Sequence, residues 1–236
     1  RYNSVKKNKL KYDSFTVPYS KGMTVLDVVA YIYKHLDPTL AFRYECRQGI
    51  CGTCGVMLNK IFHISEEPWI CEKAKKWLDS FLKPDMLVFE YGSGGSTLLF
   101  ARRVKKVVSV EYQLLWFLGV TLALWRQGIM NFKLHLCRPE RGKFSDRNYM
   151  SSDPNLGTFR FKKFATTIDQ YPDHYFDLVF VDGRARNDCL RHAIPKVKRG
   201  GFIFLDDSDR QAYQLGKEYL SRFKELKLEN ASAWEV

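Results

Sequence analysis

From residue 86 onward the chain alternates short apolar runs with amphipathic stretches. This alternation restricts the fold more than any other feature of the sequence. The runs are 86–90, 107–111, 132–137, 176–182 and 201–206, with helix-like segments such as 189–197 and 209–223 between or after them. Largely apolar runs of five to seven residues, alternating with helix-like segments, predict strands joined by crossover helices, that is, a parallel α/β sheet. Residues 138–160 are polar and rich in Gly and Pro, and predict a long loop near the active face.

Residues 1–60 have a different character. Thr24 precedes the apolar positions Val25, Val28, Val29 and Ile32, which predicts a capped helix ending before Asp37-Pro38. Alternation over 12–18 predicts a strand before that helix, and Val56 opens another. Cys46, Cys51 and Cys54 lie between them at C-x4-C-x2-C spacing, the way plant-type [2Fe–2S] ligand sets begin. The organisation expected is therefore a small mixed domain over 1–60 and a larger α/β domain over 61–236.

The 236-residue chain carries a net charge of +12, split as +6 in residues 1–60 and +6 in the remainder. No compact Lys/Arg block with interleaved aromatics occurs, so a solvated basic face is favoured over nucleic-acid binding. Six cysteines in a chain of this length do not read as a disulfide framework, and the three within nine residues read as metal ligands in a reducing compartment. No secretory leader is expected, and the most apolar run, 114–125, is about half the length of a membrane span. A cytoplasmic setting without a transmembrane segment is the expectation. That same run is apolar nearly all round, where a helix on an α/β sheet normally shows one stripe. Its outer side predicts a cover: the N-terminal domain, a second subunit through 114–125 or a membrane surface, with local burial by residues 61–80 as the alternative.

The chemistry concentrates after the first apolar run. Glu90, Gly92, Ser93, Gly94 and Thr97 fall where a strand ends and a helix begins, so the glycines allow a tight turn and helix N–H groups point toward a ligand. Glu111 closes the next strand nineteen residues after Gly92, where a carboxylate accepts hydrogen bonds from ribose hydroxyls. Thr97 stands at the third glycine position of a dinucleotide fingerprint. Asp182 is expected at the carboxyl end of the fourth strand. Asp206 and Asp207 follow the fifth and have two readings, as carboxylate ligands for a hard cation with Asp182 or as the cap of the following helix.

Taken in order, the turn at 90–97, Glu111, the run ending at Asp182 and the run ending at Asp206-Asp207 resemble a class I S-adenosylmethionine-dependent methyltransferase over 61–236. The resemblance implies a Rossmann-like doubly wound sheet and S-adenosylmethionine as cofactor. It further implies that Gly92 and Gly94 line the methionine and ribose, Glu90 holds the amino-acid end, and Glu111 takes the ribose. Asp182 is the catalytic candidate, acting on an acceptor the sequence does not name. Catechol-type O-methyltransferases bind Mg²⁺ with acids in similar places. Residues 234–236 are expected to fall inside the sixth strand, so the family's final antiparallel strand is expected to be missing.

Residues 1–59, through the helix signals, 36–43 and the cysteine loop, resemble the N-terminal [2Fe–2S] ferredoxin-like domain of the succinate dehydrogenase/fumarate reductase iron–sulfur subunit. This implies a β-grasp fold, here truncated, an electron-transfer role and a flavoprotein partner. The family's fourth cysteine, about a dozen residues after the third, has no counterpart. Only Cys71 or His63 stands near enough to substitute, so the cluster is expected to be incomplete. Two functions follow: methyl transfer, or electron transfer in a succinate dehydrogenase/fumarate reductase type complex. A non-natural fusion of the two segments fits the abrupt junction equally well.

Overall fold

The computed structural model describes residues 14–18, 20, 23–38, 57–58, 61–62, 64 and 67–236. The chain divides into two units, Arg1–Gly55 and Val56–Val236.

Within the first unit, helix α1 (Val25–Tyr31) continues into one π-helical turn, Ile32–Leu36. Thr24 and Asp27 form a reciprocal cap: the Asp27 N–H donates to Thr24 Oγ1 at 3.2 Å, and the Thr24 N–H donates to the Asp27 carboxylate at 2.9 Å. Two otherwise orphaned donors are satisfied, which explains the start of the helix. Residues 14–18 are not a strand, and the rest of the segment expected to be one lies outside the described residues. So do Cys46, Cys51, Cys54 and His63. Where a strand is expected to open at Val56, Met57–Leu58 is a short strand, at the start of the second unit, paired antiparallel with Ile61–Phe62.

The second unit is built on a seven-stranded sheet. Its strands are β1 (Leu87–Tyr91), β2 (Lys106–Glu111), β3 (Phe132–Leu136), β4 (Phe176–Val181), β5 (Val197–Leu205), β6 (Lys224–Leu228) and β7 (Ala231–Glu235). They lie in the order β6-β7-β5-β4-β1-β2-β3. β1 to β5 run parallel, and β7 is antiparallel to both its neighbours. Because side chains alternate along each strand, β1 sends Val88 to one face and Phe89 and Tyr91 to the other. Helices α2 (Glu72–Phe81), α3 (Gly95–Arg103) and α4 (Leu114–Arg126) cover the Val88 face, with Leu78, Leu98, Phe100, Val120 and Leu124 buried there. α5 (Lys162–Thr166), α6 (Arg186–Ala193) and α7 (Gln214–Tyr219) lie on the opposite side, where Phe164, Cys189 and Leu190 pack on Phe89 and Tyr91.

The expected doubly wound sheet is present, with one correction. The last antiparallel strand is not missing. It is β7, inserted between β5 and β6, and the sixth strand is β6. Both fit into so short a tail because the hairpin turns in two residues, with Leu228 paired to Ala231 and Glu229 at φ 61°. β6 is an edge strand whose two lysines stay exposed, so its pattern reads as the end of an amphipathic helix. Residues 138–160 form the expected loop, with a short ladder between Glu140–Arg141 and Phe159–Arg160. Among the described residues no helix is long and apolar enough to cross a membrane.

Candidate cofactor site at the strand tips

The strand order reverses between β1 and β4, the place where open α/β sheets leave a crevice at their carboxyl ends. Gly92 turns the chain there with φ 94°, in the left-handed half of conformational space that favours glycine. Its N–H donates to the Val110 carbonyl at 3.0 Å, and the Asp182 N–H donates to the Tyr91 carbonyl at 3.0 Å. The tips of β1, β2 and β4 are thereby tied together.

Glu111 lies at the end of β2 and is buried. Its Oε1 accepts short hydrogen bonds from the Tyr112 and Gln113 N–H groups, at 2.7 and 2.8 Å. Its Oε2 accepts two longer ones from Ser93, 3.3 Å from N and 3.1 Å from Oγ. One edge of the carboxylate is fixed by its own backbone, and the other faces the glycine turn through weaker contacts that a ligand hydroxyl can replace. Burial pushes its pKa up, against the pull of these four donors. Gly94 is extended at φ 171°, and space opens above it toward the Trp116 ring, whose Nε1 donates to the Ser93 carbonyl.

Glu90 lies beneath the turn, with no exposed surface. Ser96 donates to its Oε1, while Thr97 and Ser109 each donate to its Oε2 at 2.6 Å. Thr97 Oγ1 also accepts from the Gly94 N–H at 2.9 Å, which explains a threonine where the dinucleotide fingerprint has glycine. Burial raises the Glu90 pKa to about 7, and the Ser109, Ser96 and Thr97 hydroxyls hold it back from going further.

Asp182, Asp206 and Asp207 do converge at the tips of β4 and β5, but around the buried guanidinium of Arg186. Arg186 Nη2 donates to Asp182 Oδ1 at 2.7 Å, Nη1 donates to the Asp206 carbonyl and lies 3.6 Å from Asp207 Oδ2, and Nε donates to the Gly183 carbonyl at 3.1 Å. A fixed cation thus sits among the three acids, and among the described residues no group of three His, Cys, Asp or Glu side chains is placed to hold a metal ion. Nor do the two aspartates cap the next helix: residues 206–209 form a turn, Asp207 has φ 53°, and the following helical turn begins after Arg210. Burial pushes both Asp182 and Asp206 up, Asp206 to about 8 with the neighbouring Asp182 adding to the effect. Arg186 carries no sequence signal beyond its position four residues after Asp182. Across the crevice Arg184 Nη2 donates to the Tyr112 hydroxyl at 3.2 Å, linking the loops after β4 and β2 above Gly92.

Cys71 is the one candidate cluster ligand among the described residues. It stands before α2, and its thiol donates to the Leu228 carbonyl in the β6–β7 hairpin at 2.9 Å. Burial raises its pKa, which disfavours the thiolate that iron requires.

A doubly wound sheet with a glycine turn at its switch point and an acid on the next strand defines a Rossmann-like ligand-binding domain. Residues 89–208, half of the chain, match the family described as a methyltransferase domain, and the chain belongs to that family. Its fold is similar to that of a methyltransferase-like protein from Silicibacter pomeroyi, with 23% identity, TM-score 0.55, and 72% of this chain and 88% of that one covered. Residues 1–76 match the 2Fe-2S iron-sulfur cluster binding domain family. The fumarate reductase iron-sulfur subunit of Haemophilus influenzae is 39% identical over 59 residues, 25% of this chain and 23% of that protein. The succinate dehydrogenase iron-sulfur subunit of Paracoccus denitrificans is 39% identical over 56 residues, 23% and 22% of the two chains. The chain spans less than a quarter of the length of these two relatives.

Proposed function

We propose that the second unit transfers a methyl group from S-adenosylmethionine to an acceptor bound at the tips of β4 and β5. The observation that carries this reading is the meeting of the Gly92 turn with Glu111 through Ser93. Ribose hydroxyls take over the two long Ser93 contacts on Glu111 Oε2, while the backbone N–H groups keep Oε1 in place. Gly92 and Gly94 allow the cofactor to approach the backbone closely. Glu90 acts through the turn that it anchors, since its own oxygens are already taken by three hydroxyls. When bound, the cofactor supplies an activated methyl on a sulfonium, so in-line positioning does most of the work. Asp182, partly exposed beside the turn and oriented by Arg186, is the group placed to accept a proton from an O–H or N–H acceptor.

Glu111→Ala removes the ribose acceptor, and a hydrogen bond to a charged group is worth about 1.5–3 kcal/mol. Titration calorimetry with S-adenosylmethionine or its demethylated product is expected to show an affinity loss of roughly ten- to a hundredfold. Unchanged affinity in a folded variant would remove Glu111 from the site. Binding of NAD with no affinity for S-adenosylmethionine would overturn the assignment altogether.

The family match over residues 1–76 favours a second reading, an iron–sulfur module, and we propose that such a module docks on a flavoprotein in a cytoplasmic, reducing setting. We propose that Cys46, Cys51 and Cys54 do not complete a stable [2Fe–2S] centre within this chain, because each iron needs two protein ligands and no cysteine follows Cys54 before Cys71. Anaerobic reconstitution is expected to give iron that a chelator strips, with no reduced-state EPR signal after desalting. A coloured protein retaining two irons and two sulfides per chain (the content of one such cluster) would show a fourth ligand in place.

A further inference from the structure

Helix α4 buries Gly119, Val120 and Leu124 against the sheet and turns a second apolar stripe outward. Leu115 is 68% exposed, Leu118 51%, Leu122 40% and Trp125 58%, and Met130 just beyond the helix is 74% exposed. The spacing 115, 118, 122, 125 puts these four on one side of the helix. Isolated exposed leucines are ordinary, but a continuous stripe ending in a tryptophan is not.

A second, independent feature lies at its carboxyl end. Between Tyr91 and Pro139 the only acidic residue is Glu111, which is buried, whereas seven basic residues fall in the same stretch. Five of these, Arg102, Arg103, Lys105, Lys106 and Arg126, are exposed and belong to the carboxyl ends of α3 and α4 and the start of β2, the end of the sheet where Trp125 lies. Arg102 reaches across to the Gln127 side chain at 2.7 Å, which brings the α3 bases beside the end of α4. Arg103 pairs with Asp79 of α2.

We propose that this face is a docking surface for an anionic phospholipid bilayer, with the α4 stripe entering the headgroup–acyl boundary and the flanking bases meeting the lipid phosphates and carboxylates. One occupant then accounts for both features. A nucleic acid would answer the bases but offers nothing to the leucines. A second copy of the chain would answer the leucines, but the stretch 112–139 brings no acid to meet the bases around them. The exposed side chains protrude, and a fluid surface accepts a protruding apolar ridge without a matching groove. A tryptophan next to an arginine suits the headgroup level, where an apolar body and a charged tip are both satisfied. Each base near an anionic leaflet adds about 1 kcal/mol of attraction, screened by salt.

The test is flotation of the full chain with phosphatidylcholine vesicles, with and without phosphatidylserine, at low and high salt. Binding is expected only with phosphatidylserine, and is expected to weaken as salt rises. Leu118→Glu and Trp125→Glu are expected to abolish it, and Lys105→Glu combined with Lys106→Glu to reduce it by about a hundredfold or more, since two charges are reversed. All the substituted positions are solvent-facing, so circular dichroism and the melting temperature should remain those of the parent protein. Trp125→Ser serves as a second, milder variant if a glutamate disturbs folding. Equal binding to neutral vesicles, no binding, or full binding by folded Leu118→Glu would overturn the proposal. So would a stable dimer in light scattering that Leu118→Glu converts to monomer, which would give the face to a second copy.

Discussion

Replacing Glu90 by alanine is expected to destabilise the second unit by about 3–5 kcal/mol, a large share of the 5–15 kcal/mol that holds a typical domain together. Ser96, Thr97 and Ser109 are all buried, and each loses the oxygen to which it donates. An unsatisfied buried donor costs about 1–3 kcal/mol, and the vacated volume adds a cavity cost, offset where a hydroxyl finds another acceptor. Urea unfolding measures the difference directly, and a loss below about 1 kcal/mol would show that the hydroxyls do not depend on the carboxylate.

Glu90→Gln isolates the charge from the packing. The carboxyl titrates at about 7 when folded, against an ordinary value of 4.5. A raised acid pKa means that the folded state holds its proton more tightly than the unfolded chain does. The stabilisation is therefore fully present below pH 4.5 and is lost as pH rises toward 7. Asp206 acts in the same direction up to about pH 8, so the informative quantity is the difference between variant and parent. Between pH 5 and 7 the variant's stability curve should be flatter, by at most about 1.4 kcal/mol per pH unit. Parallel curves would place the Glu90 titration elsewhere.

The parts of this molecule that were legible in the sequence are those where a local pattern has one physical cause. β1, β2, β4 and the second half of β5 are largely buried on both faces, so each is an apolar run, and the Gly92 turn and Glu111 carry the signature of a strand-to-helix ligand loop. The β6–β7 hairpin was hidden because an edge strand must keep its charges in water, and Lys224, Glu225 and Lys227 then read like helix. Arg186 was missed because an arginine four residues after an acid is common, and only the fold brings Asp206 and Asp207 to the same guanidinium. Glu90 was noticed, but its partners Ser96, Thr97 and Ser109 come from α3 and the neighbouring strand. The pairing of Glu90 with Ser109 depends on the β1–β2 register, which no single-strand pattern contains.

The two glycines of the turn look alike in the sequence and are expected to respond very differently to alanine. A Cβ on Gly92 would lie 2.8 Å from the Asp182 carbonyl oxygen and 3.1 Å from Gly183 Cα, both backbone atoms of the neighbouring strand tip. That tip cannot retreat without breaking the hydrogen bond from the Asp182 N–H to the Tyr91 carbonyl, and Gly92 itself is held to Val110. The φ of 94° adds backbone strain that an L side chain cannot relieve. Gly92→Ala should therefore cost about 2–4 kcal/mol and pry β1 from β4 at the switch point, abolishing cofactor binding with it. Gly94 is extended, and its added Cβ would meet only the Trp116 ring, at 3.7 Å, an ordinary contact. Gly94→Ala should change stability by less than about 1 kcal/mol while weakening S-adenosylmethionine binding, because the methyl enters the space above the turn. Chemical denaturation and calorimetry on the two variants separate the roles. Equal destabilisation by both would mean that the β1 and β4 tips are not held together as described. Full cofactor affinity in Gly94→Ala would move the ligand away from this turn.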